Sequence, residues 1–229
     1  VDVTVLDPTD PACFNCTLTG SLASQTNASC DGATDGSLTV SGSLGTPNYQ
    51  YSIDGGTTWQ TSPTFNALSA VSYTITIEDA DNCQVTVPVT ITAPNPLAIA
   101  LDASTQVSCN GLSDGALTVS GSGGTTPYQF SIDGGTTLQS SGTFINLATG
   151  SYTLTIIDDN GCQSTVSGNV TEPSLLTASI VSTTDATCGL ANGALEVAAA
   201  GGTPNYQYSI DGGVNWQNSG AFSGYMPGN

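Results

Sequence analysis

Between Tyr128 and Ile132 the apolar side chains Tyr128, Phe130 and Ile132 alternate with Gln129 and Ser131, and Tyr152, Leu154 and Ile156 later alternate with Thr153 and Thr155. A period of two places one face of the chain on a core and the other in water, which is the pattern of a half-buried β-strand. Across residues 95–173 it predicts strands near 97–103, 116–120, 128–132, 137–140, 143–145, 151–157 and 164–170. Seven short strands separated by Gly-rich turns suit an Ig-like antiparallel β-sandwich. No segment carries a helical period, and the Ala run at 198–200 falls where the other copies have a strand end. The expected class is all-β, without significant helix.

The same pattern occurs three times. Cys30, Cys109 and Cys188 follow one another at a spacing of 79 residues and open the stretches "CDGATDGSLTVSGSLGTPNYQYSIDGG", "CNGLSDGALTVSGSGGTTPYQFSIDGG" and "CGLANGALEVAAAGGTPNYQYSIDGG". The third is one residue shorter near Asn192. Repetition at this period indicates tandem modules. A second cysteine follows the first by 53 residues, at Cys83 and Cys162, and this equal spacing predicts disulfides Cys30–Cys83 and Cys109–Cys162. Prolines in "TAPNP" and "TEPS" stop the last strand of a module and stiffen a short linker. The expected organisation is an N-terminal strand segment at 1–16, Ig-like repeats at 17–94 and 95–173, and an incomplete repeat at 174–229, joined in an extended rod.

Composition narrows the function. The chain has no Lys, Arg or His against 18 Asp and Glu, a formal charge of −18. Nucleic-acid affinity comes largely from cationic side chains that release counterions, so no nucleic-acid partner is expected. An anionic membrane surface would repel such a chain, and no apolar run reaches the roughly 18 residues of a membrane span. Charged residues are 8% of the chain, against roughly 25% in ordinary soluble domains. No side chain can form an intramolecular ion pair with these carboxylates, so salt or divalent cations should stabilise the fold. Seven cysteines, and a chain that opens at Val1, read as a processed extracellular product in an oxidising setting.

The stretch C-N-G-x-x-D-G-x-L-x-V-x-G-x-G-G-x-x-P-Y-x-F-S from Cys109, followed by "LATGSYTLTIIDDNGC" ending at Cys162, resembles the SprB-type repeat of bacterial cell-surface adhesins. The likeness covers the first two repeats fully and the third partly. It implies a large, secreted, multi-repeat surface protein of gliding and related bacteria, used in adhesion or as an extended stalk. Repeat one departs from the pattern: "LSAVSY" and "DADNC" lack the Gly of "LATGSY" and "DDNGC".

Several motifs invite chemical readings. "SIDGGTTW" from Ser52 resembles the Asp-box of sialidase propellers and returns as "SIDGGTTL" and "SIDGGVNW". A sialidase also needs an arginine cluster for the substrate carboxylate, and there is no arginine here. Asp54, Asp133 and Asp211 are therefore expected to serve structural hairpins, with Trp59 and Trp216 packed beside the turns. The acidic turns holding Asp79, Asp81, Asp158 and Asp159 read as solvated turns, with a weak calcium site as the alternative. "PACFNC" places Cys13 and Cys16 in a C-x-x-C, but no second pair or histidine completes a zinc site, so structural disulfides are expected. Asn15, Asn27 and Asn169 lie in N-x-Ser/Thr sequons. Without His, Lys or Arg, catalysis would rest on carboxylates alone, and these recur as turn residues; an enzyme is not expected and no cofactor is implied.

Repeat three stops before the core strand that begins at Tyr152 in repeat two, and it lacks a partner for Cys188. The opening "VDVTVLDPTDPAC" resembles "YTLTIIDDNGC", with Val1, Val3 and Val5 at inward positions; a second register matches it to "VPVTITAP". The sequence is therefore expected to be either a window of a longer array or a subunit whose first strand completes the third module of the next copy, head to tail. In the second case Cys188 would bond Cys13 or Cys16 of a neighbour. The reading as a whole is a non-enzymatic subunit or segment of an extracellular bacterial filament or adhesin stalk. The alternative is an adhesive module that binds surface glycans through aromatic side chains.

Overall fold

A computed structural model describes residues 16–226. Those residues contain fifteen β-strands and no helix. The first module runs through β1 (Thr19–Thr26), β2 (Gly36–Ser43), β3 (Gln50–Ser52), β4 (Thr64–Leu68), β5 (Ser72–Glu78) and β6 (Gln84–Thr90). Its strands form two three-stranded antiparallel sheets, ordered β1-β2-β4 and β3-β5-β6. The second module repeats this with β7 (Ala98–Thr105), β8 (Gly115–Ser122), β9 (Gln129–Ser131), β10 (Thr143–Leu147), β11 (Gly150–Ile157) and β12 (Gln163–Val170), in sheets β10-β8-β7 and β12-β11-β9. The third has β13 (Thr177–Thr184), β14 (Gly193–Ala200) and β15 (Ala221–Tyr225) in one sheet. This is the expected all-β arrangement of tandem Ig-like sandwiches. One expected strand is absent: residues 137–140 contribute only the isolated bridge Phe130↔Gln139, because the loop before them is too wide to hold a ladder.

Inward positions of the alternating strands meet between the two sheets. In the first module Leu38, Val40, Tyr51, Phe65, Ile75, Ile77, Val87 and Ile91 form the core, and in the second Leu117, Val119, Phe130, Phe144, Leu154, Ile156 and Val170 are buried. The hydroxyl of Tyr73 donates to Ser69 O at 3.1 Å and that of Tyr152 to Ala148 O at 2.9 Å. A tyrosine tied to backbone a few residues upstream is a corner device of Ig-like sandwiches.

The chain divides into two compact units. One holds the described residues of Val1–Ala98 with Gly121–Tyr128 and Ile157–Ser164. The other holds Ile99–Ser120, Gln129–Ile156 and the described residues of Thr165–Asn229. The β11–β12 turn, which lies within the second module's sequence, thus packs with the first.

The disulfides differ from the expected pairing. Cys16 bonds Cys83, and Cys30 bonds Cys162. Neither Cys30–Cys83 nor Cys109–Cys162 forms, and Cys109 and Cys188 are exposed thiols. Strand direction gives the reason. Thr19 pairs Ser43 at one end of the β1–β2 ladder and Thr26 pairs Ser37 at the other, where the chain continues to Cys30. Cys83 lies in the β5–β6 turn, beside Thr46, at the Ser43 end. Eight residues of strand at about 3.3 Å each separate the two cysteines by about 25 Å, far beyond the roughly 7 Å that a disulfide spans between Cα atoms. Cys16, which precedes β1, is at the correct end, with Cα 5.7 Å from that of Cys83. Bonded in this way, Cys16 is not available to a neighbouring copy. Cys13 and the strand positions Val1, Val3 and Val5 lie outside the described residues.

Candidate functional site

The site is built from loops at the ends of strands. In the β11–β12 turn the buried carboxylate of Asp158 accepts from Thr125 N at 2.8 Å, Asn160 N at 3.0 Å and Cys162 N at 2.8 Å. Gly161, at φ 82°, closes the turn, its N–H donating to Asp158 O at 3.0 Å. Asp79 does the same in the β5–β6 turn, accepting from Thr46, Asp81 and Cys83. Burial pushes the Asp79 carboxyl up, but the donors from Thr46, Cys83 and Asp81 outweigh it and hold the group below its ordinary value. Asp81 accepts from the Thr46 hydroxyl, and the backbone N–H of Asp159 donates to Thr125 O. The oxygens of Asp79 and Asp158 are thus committed to backbone N–H groups. Among the described residues no three acidic or Cys side chains gather around a cation position. Asp79 and Asp158 shape their turns.

The facing element is the loop after β1. Asp35 accepts from Ser29 N at 3.0 Å, and Ala33 N donates to Cys30 O at 3.1 Å. Ser29, through its hydroxyl and its N–H, keeps the Asp35 carboxyl below the ordinary range. The loop so fixed holds Cys30 with its Cα 5.8 Å from that of Cys162. Asn160 Nδ2 reinforces the joint by donating to Ser29 O at 2.8 Å and to Thr125 Oγ1 at 3.1 Å. Beside the bond is a cleft of about 240 Å³ whose wall includes Pro94, Asn95, Leu97 and Gly124. Gly124 has to be glycine: at φ 56° a Cβ would come 2.6 Å from Asp158 Oδ2.

One position explains the choice of partner. At the 79-residue spacing, the linker position before the first strand is Cys16, Asn95 or Ser174. Where it is Cys16, the turn cysteine bonds within its module; where it is Asn95, the turn cysteine bonds the preceding module's Cys30.

The Asp-box loops are structural. Asp54 Oδ1 accepts from Thr57 N and Thr58 N, Thr58 Oγ1 donates to Oδ2 at 2.6 Å, and Ser52 Oγ donates to Oδ1 at 2.7 Å. Gly55 and Gly56 take φ 72° and 88°. The loop spans 53–59 between the bridged residues Tyr51 and Gln60, so it is wider than the tight hairpin expected from Asp-Gly. Donors from Thr58 and Ser52 bring the Asp54 carboxyl down to about 2. Thr137 and Ser131 bring Asp133 to about 2, and Asn215 and Ser209 do so for Asp211. Trp59 is half-buried against Gly56. Trp216 is 59% exposed, with its indole N–H donating to Gly213 O at 2.9 Å.

In the third module Leu195 and Val197 remain half-buried, where their counterparts Leu117 and Val119 are 0% and 4% exposed. No sheet corresponding to β9-β11-β12 covers them among the described residues. A cleft of about 760 Å³ opens there, lined by Gly193, Leu195, Ile210, Tyr225 and Met226 among others. Sequence reasoning missed this cleft, and it missed Asp35 and Asp114 as loop anchors; their identical place six residues after Ser29 and Ser108 was the available signal.

The described residues define a tandem β-sandwich protein whose modules are joined by a disulfide. The SprB repeat model matches residues 22–58, 101–137 and 180–215, and the chain carries three SprB repeats. SprB repeats belong to cell-surface proteins, and the three matches support a surface-protein repeat module. No curated protein matches it. Among solved structures it is similar to the three N-terminal domains of the highly immunogenic outer capsid protein of bacteriophage RB49, at 16% identity and TM-score 0.43 over 80% of this chain and 69% of that one. It is similar to the C-terminal 282-residue fragment of intimin, solved with the intimin-binding domain of its translocated receptor, at 14% identity and TM-score 0.35 over 69% and 66%. It is also similar to the N-terminal four Ig domains of Dscam1 isoform 6.44, at 18% identity and TM-score 0.31 over 67% of this chain and 45% of that one. No helix among the described residues is long and apolar enough to cross a membrane.

Proposed function

We propose that the chain is a non-enzymatic structural segment of an extracellular bacterial filament or surface adhesin stalk, joined head to tail to neighbouring SprB-type modules by strand complementation. The observation that carries this reading is the match of the SprB repeat model at 22–58, 101–137 and 180–215. The bond between Cys30 and Cys162 supports a load-bearing role, because it ties the end of one module to the start of the next. Modules at 17–94, 95–173 and 174–229 are the units of this stalk. Gold-labelled antibody to the chain is expected to decorate threads outside intact source cells; label confined to the interior would refute the reading. A second reading, glycan binding, is favoured by the exposed ring of Trp216. In that case Trp216→Ala would abolish retention of the chain on immobilised glycans, and unchanged retention excludes the ring.

A further inference from the structure

We infer that the side-chain amide of Asn160 selects the partner of the turn cysteine: it recognises the Ser29 carbonyl of the preceding module and so directs Cys162 to Cys30, a choice that a carboxylate at the same place cannot make. The turns of the first two modules share their backbone bonds. Asp79 N donates to Cys83 O at 3.0 Å and Asp158 N to Cys162 O at 3.1 Å, Asn82 N donates to Asp79 O and Gly161 N to Asp158 O, and Ala80 N and Asp159 N donate to Thr46 O and Thr125 O. Each buried carboxylate also holds the N–H of its turn cysteine, at 2.9 Å in the first module and 2.8 Å in the second. Asn82 and Gly161 both take left-handed backbone, at φ 62° and 82°. A backbone this alike does not by itself send Cys83 and Cys162 to different partners.

The turns differ in the side chain that stands two residues before the cysteine, Asp81 in one and Asn160 in the other. Asp81 accepts from the Thr46 hydroxyl. Asn160 reverses this bond: its Nδ2 donates to Thr125 Oγ1 at 3.1 Å, and it also donates to Ser29 O at 2.8 Å. An amide nitrogen carries two donor hydrogens, whereas an ionised carboxylate only accepts. At position 160 a carboxylate would therefore deprive the Ser29 carbonyl of this donor and set a negative charge against its oxygen. Ser29 adjoins Cys30, and its N–H is already fixed by Asp35 at 3.0 Å, so the bond to its carbonyl locates the cysteine that follows. The linker residue has a separate part. Asn95 at the place of Cys16 leaves Cys162 without a partner in its own linker, and Asn160 supplies the direction. The inference goes beyond the stalk reading and holds whether or not copies exchange strands.

The test is refolding of the reduced full chain in a buffer of a small thiol and its disulfide, with both protein disulfides quantified by peptide mapping and the second module's fold followed by hydrogen exchange at Leu154 and Ile156. Closing the joint takes two electrons and two protons from the Cys30 and Cys162 thiols; the buffer disulfide accepts them and leaves as two thiols, by two successive exchanges. Asn160→Ala is expected to lower the equilibrium constant for Cys30–Cys162 about 5-fold, the worth of one net hydrogen bond, and Asn160→Asp about 20-fold, since the carbonyl then faces a charge. Cys16–Cys83 and the protection of Leu154 and Ile156 are expected to match the parent in both variants. Gln163→Glu places the same charge beside Cys162 and keeps the amide, and it is expected to change the joint by no more than about 2-fold. An unchanged joint in Asn160→Asp would overturn the inference. So would loss of Cys16–Cys83 or of core protection in step with the joint, or a Gln163→Glu loss as large as that of Asn160→Asp.

Discussion

If the chain is a stalk, the two disulfides have unequal mechanical weight, and the difference can be worked out from their positions. Cys30–Cys162 bridges 132 residues and Cys16–Cys83 bridges 67, and the two loops interlace. The shortest covalent path through the oxidised chain runs from Cys30 directly to Cys162, whether or not the other bond is present. Removing Cys16–Cys83 by serine substitution therefore leaves the fully stretched length unchanged. Removing Cys30–Cys162 lets the path fall back on the shorter loop and frees the difference between 132 and 67, which is 65 residues. At about 3.3–3.6 Å per extended residue this is about 22 nm. Single-molecule force spectroscopy on the two double-serine variants, pulled at the termini, reads this length directly. Equal gains for both variants would mean independent, non-interlaced loops and would refute the pairing and the stalk mechanics built on it.

Three further outcomes are expected. Leu154→Ala should cost about 3 kcal/mol and Leu195→Ala about 1 kcal/mol, since only the first side chain is fully enclosed; hydrogen exchange resolved by module checks this, and equal losses would contradict an open third module. Asp54, Asp133 and Asp211 have carboxyls lowered from 3.8 to about 2, so their stabilisation is complete above pH 3.8 and is lost as pH falls through 2. Asp133→Asn should therefore melt below the parent at pH 5 and converge with it near pH 2, and a constant gap in melting temperature would reject the anchoring role. With a charge of −18 and no side-chain cation, the melting temperature should rise with salt, and a flat profile would show that carboxylate repulsion is negligible.

Alternation made six of the seven expected strands of the second module legible, because a residue such as Phe130 or Leu154 can face a core only if its neighbours face water. The Asp-box at Asp54, Asp133 and Asp211 was equally readable as a turn, since Ser and Thr at fixed offsets supply the donors its carboxylate needs. The cysteine partners were misread because equal sequence spacing says nothing about which end of a sandwich a residue occupies. The needed signal was strand direction: β8 leads away from the Cys109 end, β10 runs antiparallel back to it at Leu147↔Gly115, and β11 then carries the chain to the other end, where Cys162 lies. The half-exposure of Leu195 is invisible to any pattern within β14, whose alternation matches that of β8; what differs is that no second sheet covers it among the described residues.

The joint at Cys30 also sets a schedule for biosynthesis. Its partner is translated 132 residues later, whereas Cys83, the earlier candidate, is held at the far end of a rigid strand ladder. A nascent first module can thus close Cys16–Cys83 and finish its own core while Cys30 waits as a thiol, and the clasp snaps shut only when the following module has folded its turn.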